Sequence, residues 1–196
     1  MKTCLLYGPI HFTNPDPIPS ESKSKLYRKV HSMLYEFYQN GYGTFLCDLR
    51  DGANFWMGNV ALNVKNRHPG MELRRIFANS CVLRQPEYFH ANLIDDQCDA
   101  VWNLRLPVGY ESEALFLEDS PVSCSALLFL YNKNALLRRD RWLLEAAQNI
   151  GVPILQLDIA SLDILAYNLP SPWKMFETIP RRRNRTYMRY KVTDLH

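Results

Sequence analysis

Apolar residues fall into two kinds of segment that alternate along the chain. Short continuous runs occur at Thr3–Gly8 (TCLLYG), Thr44–Leu49 (TFLCDL), Cys124–Asn132 (CSALLFLYN) and Val152–Ile159 (VPILQLDI). Runs of this length and continuity predict strands buried on both faces. Between them the period lengthens. Leu26, Val30, Met33, Leu34 and Phe37 recur at i, i+4, i+7, i+8 and i+11, one face of a helix that ends at Asn40–Gly43 (NGYG). Trp56, Val60 and Val64 form a second stripe with Met57 and Ala61 beside it, stopped near Pro69. ALLRRDRWLLEAAQNIG predicts a third helix, with Gly151 just past its end.

The weaker patterns fill in the order. Met71–Ala78 (MELRRIFA) predicts a third strand, whose two arginines suggest a sheet edge or an exposed end. AVWNL predicts a fourth strand, and RQPEYFHANLIDDQ a short helix. HFTNPDPIPSES holds three prolines and reads as a loop. Arg105–Pro121 has no period and reads as a surface excursion. Strand and helix alternating in this way predict an α/β protein. The expected fold is Rossmann-like and doubly wound, a mainly parallel sheet of about five to six strands with helices on both faces. Residues 1–160 would form that domain, and 161–196 a basic, aromatic extension.

Composition narrows the class. The chain has 196 residues, 47% hydrophobic, 22% charged and 12% aromatic, which suits one globular domain rather than a disordered chain. No apolar run approaches a membrane span, and the run at the amino end is too short for a signal-peptide core, so the expectation is a cytoplasmic protein without a membrane partner. Cys4, Cys47, Cys81, Cys98 and Cys124 are odd in number, widely spaced and without C-x-x-C, which argues against a disulfide framework or a zinc site. The formal net charge of +3 is unevenly placed. Lys174–His196 contains seven basic and two acidic residues, leaving the rest of the chain slightly negative.

The stretch FLCDLRDGANFW (45–56) carries the candidate chemistry. In an open parallel sheet, ligands bind beyond the carboxyl ends of the strands near the point where strand order reverses. Three loops leave such ends: Gly8–His11, Asp48–Asn54 and Tyr131–Asn134. An amino-terminal helix end offers unpaired N–H groups to an anion. Gly52 would allow close backbone approach, Arg50 could clamp a phosphate, and Asp51 or Asn54 could accept from a ribose hydroxyl. The plainer reading of the same residues is Asp51 as a helix cap, Gly52 as a tight turn and Trp56 as core. G-x-G-x-x-G and the P-loop signature are both missing.

These residues resemble the SLOG superfamily, the Rossmann-like proteins related to DprA and to LOG-type phosphoribohydrolases, nearest the YpsA-like branch of unknown function. Gly52-Ala53-Asn54-Phe55-Trp56 is similar to the family's second-strand motif, and NVALNVKNRHPGMELRRIFA continues it. SALLFLYNKN followed by LLEAAQNIGVPILQLDI is similar to the end of such domains, so the resemblance spans roughly residues 1–160. It departs at three places. The family aspartate is Asn54; the first-strand turn is Gly8-Pro9-Ile10-His11 without arginine; NKNALLRRD stands where the family has a Gly-Gly-Thr phosphate loop. The resemblance implies a degenerate member that binds a nucleotide or nucleotide-derived ligand, and a binder before an enzyme. If an enzyme, it would be a glycosidic-bond hydrolase acting on nucleoside monophosphates, with Arg138 and Arg139 near the missing loop.

The expected ligand site is therefore Gly8, His11, Arg50, Asp51, Gly52, Asn54, Tyr131 and Asn132. Arg50 would meet phosphate, the Gly52 region would supply backbone N–H groups, and Tyr131 could stack on a base. Asp48, near the end of an apolar strand, would need a partner and could orient Arg50. No cofactor and no metal are expected, because the five histidines lack ligand spacing. Ser125 and the adjacent Asp95-Asp96 read as structural. In the tail, Arg181, Arg182, Arg183, Arg185 and Arg189 lie among tyrosines, a mixture that suits nucleic acid, a protein partner or a docked self-contact. The alternatives to a nucleotide binder are thus a protein-interaction module (inhibitor or adaptor) on the same scaffold, or a nucleic-acid binder using residues 181–191. Either could be a homo-oligomer.

Overall fold

A computed structural model describes residues 1–8, 20–49, 52–78, 97–104, 123–133, 136–169, 176–180 and 186–190. The expected loop at 11–22, apart from the helix start at Ser20, lies outside them. So do the short helix at 84–97, apart from Gln97, and the excursion at 105–121.

The chain runs β1 (Lys2–Tyr7), α1 (Ser20–Gln39), β2 (Tyr42–Cys47), α2 (Ala53–Lys65), β3 (Glu72–Ala78), β4 (Ala100–Leu104), β5 (Ala126–Tyr131), α3 (Arg138–Ile150), β6 (Ile154–Asp158), β7 (Ile164–Tyr167), β8 (Phe176–Pro180) and β9 (Thr186–Tyr190). All twelve elements join around one sheet of order β4-β3-β2-β1-β5-β6-β7-β9-β8. The first six strands in that order are parallel, and β7, β9 and β8 add to it antiparallel. This is the Rossmann-like α/β arrangement. Strand order grows from β1 through β2 to β4 on one side and resumes at β5 on the other, which puts the switch point between β1 and β5.

The continuous strand runs have a simple cause: β2, β5 and β6 are buried at every position, because helices cover both faces. On one face Cys4, Leu6, Phe45, Cys47, Leu128 and Leu130 pack under Leu26, Val30 and Phe37 of α1 and Met57, Val60 and Ala61 of α2. On the other, Leu5, Leu46, Leu127 and Phe129 pack under Leu143 and Ala147 of α3. α3 starts without a side-chain cap at Leu137. Instead Asp140 reaches back, its Oδ2 accepting from the Leu137 N–H at 3.0 Å, and its Oδ1 accepts the Tyr7 hydroxyl at 2.9 Å. One carboxylate thus closes the helix and ties it to the end of β1.

Two expectations change. β3 is an interior strand between β2 and β4, not an edge. Its arginines are absorbed locally. Arg74 pairs with Glu72 at 2.6 Å, and Arg75, only 1% exposed, lies in register with Cys47. The sheet also does not stop at β6: the segment expected as an extension supplies β7, β9 and β8. β7 is only four residues long, too short for an alternation to register in sequence.

Burial pushes the Cys124 thiol up to about 12. It pushes Cys4 and Cys47 well above the ordinary thiol range, Cys124 adding to the rise at Cys4 and Asp48 to that at Cys47. In the unfolded chain these thiols ionise near their ordinary values while the folded chain keeps their protons. The unfolded state then binds fewer protons, so stability falls as pH rises above about 8.5, by about 1.4 kcal/mol per pH unit for each thiol. Urea unfolding followed from about pH 8 to about pH 10 should show this decline, and Cys124→Ala should reduce the slope by one thiol's share.

Candidate functional site

The site is organised by the absence of a side chain at Gly8. A Cβ there would meet Ala53 Cβ at 2.6 Å, Leu130 Cβ at 3.3 Å and Met57 Cε at 3.4 Å. The end of β1, the end of β5 and the first turn of α2 therefore approach as closely as backbone allows. The Gly8 N–H donates to Asn54 Oδ1 at 2.7 Å, and the Cys47 thiol donates to the Asn54 carbonyl at 3.2 Å. Asn54 is 1% exposed. It is a clip between β1, β2 and α2, and its acceptor is occupied, so the expected ribose contact does not fall to its Oδ1. An amide also does this without burying a charge, as aspartate here would.

The joint after β2 is shaped by two positive-φ positions, Leu49 and Gly52. Leu49 sits at φ 50 with its side chain fully buried. A Cβ on Gly58 would fall 2.0 Å from Leu49 Cδ2, so glycine in α2 makes the space for that side chain. Gly52 adopts φ 69, ψ −134 as the N-cap residue of α2, a conformation closed to other residues. The cap position expected for Asp51 thus belongs to Gly52. No side chain caps this end, and no residue of the first turn is acidic. A helix amino end of this kind carries a partial positive charge at the carboxyl rim.

At the end of β5 the outcome differs from expectation. Tyr131 is 8% exposed. Its ring stacks on Phe129 (5.9 Å, 16°), which stacks on Tyr7 (5.7 Å, 7°). Burial first, then the Asp158 charge, pushes its hydroxyl up to about 12. Tyr131 belongs to the core on the α3 face and offers no open ring face to a base. Asn132 is half-buried at the rim and Lys133 is exposed. Lys133 Nζ lies 3.8 Å from Oδ2 of Asp158, a fully buried carboxylate whose Oδ1 accepts from the Ala160 N–H at 3.0 Å. Sequence reasoning passed over this pair, although an aspartate closing an apolar strand was its visible sign.

A second feature was also missed. Between the amino-terminal turns of α1 and α2 lies an open groove of about 450 Å³, lined by Lys23, Ser24, Tyr27, Arg28 and Trp56. Trp56 stands edge-on to Tyr27, ring centroids 6.4 Å apart at 83°. The spacing 23, 24, 27, 28 marks one face of α1 beside its apolar stripe, and that was the available signal. His11, Arg50 and Asp51 lie outside the described residues, as do Arg181, Arg182, Arg183 and Arg185. Arg189 lies in β9, in register with Leu165 of β7 and Glu177 of β8. Among the described residues, no group of three His, Cys, Asp or Glu side chains could hold a metal ion.

The rim makes two mutational expectations. Gly8→Ala should destabilise by about 1–3 kcal/mol through overpacking, and adding Ala53→Gly should restore part of that loss in a double-mutant cycle read by urea unfolding. Asn54→Ala strands the buried Gly8 N–H and should cost about 1–3 kcal/mol, while Asn54→Asp keeps the acceptor but buries a charge, so urea unfolding should show it costing more at neutral pH than in acid, where the carboxyl is protonated. No protein-family model and no curated protein matches the chain, so the reading of this site rests on its geometry.

Proposed function

We propose that this is a small cytosolic Rossmann-like protein that binds a nucleotide or nucleotide-derived ligand at the carboxyl ends of its strands, without catalysing a reaction on it. One observation carries the reading. The amino end of α2, capped by a glycine and free of acidic residues in its first turn, stands beside Gly8 at the strand that borders the switch point. Such an end favours an anion through its oriented amides and partial positive charge. Arg50, two residues before Gly52 in the sequence, is assigned the phosphate contact. Asn132 is assigned to the opposite wall and His11 to the first turn. The kinship with the SLOG superfamily is part of this proposal. The clip made by Asn54 where that family has aspartate favours a protein that holds its ligand without the family's chemistry.

A protein-interaction role is the second reading. It is favoured by α3, which exposes Trp142 at 51% with Arg138 4.5 Å above its ring, and Leu137 and Ile150 on the same element.

Thermal unfolding with adenosine, guanosine, cytidine and uridine monophosphates and with cyclic nucleotides separates the two. A ligand at about 100 times its Kd adds about 2.7 kcal/mol, a rise in Tm of roughly 5–10 °C for a chain of this size. Arg50→Ala should remove that rise. If no nucleotide raises the Tm, the ligand reading is wrong and the interaction reading takes its place.

A further inference from the structure

The groove between α1 and α2 combines two chemistries. Its described lining carries two cations, Lys23 and Arg28, and no carboxylate. It also carries two aromatic rings, Tyr27 and Trp56, both partly buried and packed against the core beneath. Neither ring is loose: Tyr27 meets Trp56 edge-on and His31 at a tilt, with centroids 6.1 Å apart in the latter pair. Arg28 is also oriented, its Nε donating to the Ser24 carbonyl at 3.4 Å. That leaves the outer edge of the guanidinium as a donor fork suited to phosphate or carboxylate.

Size and position fit a small ligand. The volume of about 450 Å³ falls within the range of small-molecule sites. Trp56 lies one helical turn beyond Gly52, its backbone N–H donating to the Gly52 carbonyl at 3.2 Å, so its Cα stands about 6 Å along α2 from the glycine joint. A ring can stack on an aromatic face without regard to its hydrogen-bonding edge, and such stacking is worth about 1–3 kcal/mol.

We infer that this groove takes a planar aromatic ring bearing an anionic group, of the dimensions of a nucleoside monophosphate, with the ring against Trp56 and the anion held by Lys23 and Arg28. The inference rests on the reading above for the class of ligand and assigns the ring contact to Trp56 in place of Tyr131. It makes Trp56 of α2, and not the end of β5, the part of the protein that distinguishes an aromatic ligand from a bare phosphate.

Calorimetric titration tests this with three probes: adenosine monophosphate, ribose 5-phosphate and inorganic phosphate. Trp56→Leu should weaken adenosine monophosphate about 10- to 100-fold and leave ribose 5-phosphate unchanged. Lys23→Ala with Arg28→Ala, both at the surface, should weaken both sugar phosphates. That pair also carries the test if Trp56→Leu fails to fold by circular dichroism. Adenosine monophosphate bound equally by the wild type and both groove variants, yet lost in Arg50→Ala, would overturn the groove assignment and leave the rim reading standing. Loss in the groove variants with no effect of Arg50→Ala would do the reverse. Wild-type protein that binds none of the three probes overturns both.

Discussion

The contact between Gly8 and the first turn of α2 sets the geometry of everything at the rim. A hydrogen bond of 2.7 Å and a gap too small for a methyl group together fix how deeply α2 sits against β1. Both partners are buried, so neither can exchange the bond for water, and opening the joint would strand a backbone donor in an apolar setting. Leu49 in Gly58's vacant space and Gly52 at positive φ set the end of β2 and the start of the helix. The amino end of α2 is aimed by this chain of constraints, not by a capping side chain.

The two sides of β1 are built differently as a result. Towards β5 the α3 face is filled: Tyr7, Phe129 and Tyr131 stack in a ladder, and Asp140 locks the Tyr7 hydroxyl to the start of α3. Towards β2 the helices leave an amino terminus whose N-cap is Gly52 and a groove whose described lining is cationic and aromatic. On the second side Phe37 and Phe45 fill the core beneath the helices, while Tyr27 and Trp56 line the groove between them. On that side positive charge and aromatic surface coincide in the described lining of the groove.

Much of this was legible along the chain, and the gaps have physical causes. Buried parallel strands must be apolar on both faces, so β1, β2, β5 and β6 stood out as runs within two residues of their ends. Arg74 and Arg75 made β3 read as an edge strand or one with an exposed end, because a strand formula has no room for an arginine paired with Glu72 or buried in register with Cys47; its place between β2 and β4 excludes the edge. β7 to β9 are short and accept ordinary residues, because antiparallel strands at the margin of a sheet need no continuous apolar run. Asn54 looked like a ligand group, since a polar residue after a glycine joint reads the same whether it faces solvent or a backbone N–H.

The order of the described elements from β1 to β6 and the rim on which Gly8, Gly52 and Asn132 would meet were determined by the sequence alone, because hydrophobic period and glycine placement are local and a parallel sheet has only one carboxyl edge. Which side chains face that rim was decided by tertiary packing alone. The stacking of Phe129 on Tyr7, the closing of Asn54 onto Gly8 and the pairing of Tyr27 with Trp56 all join residues distant in the chain. Their roles depend on which neighbour excludes water, and no local pattern records that.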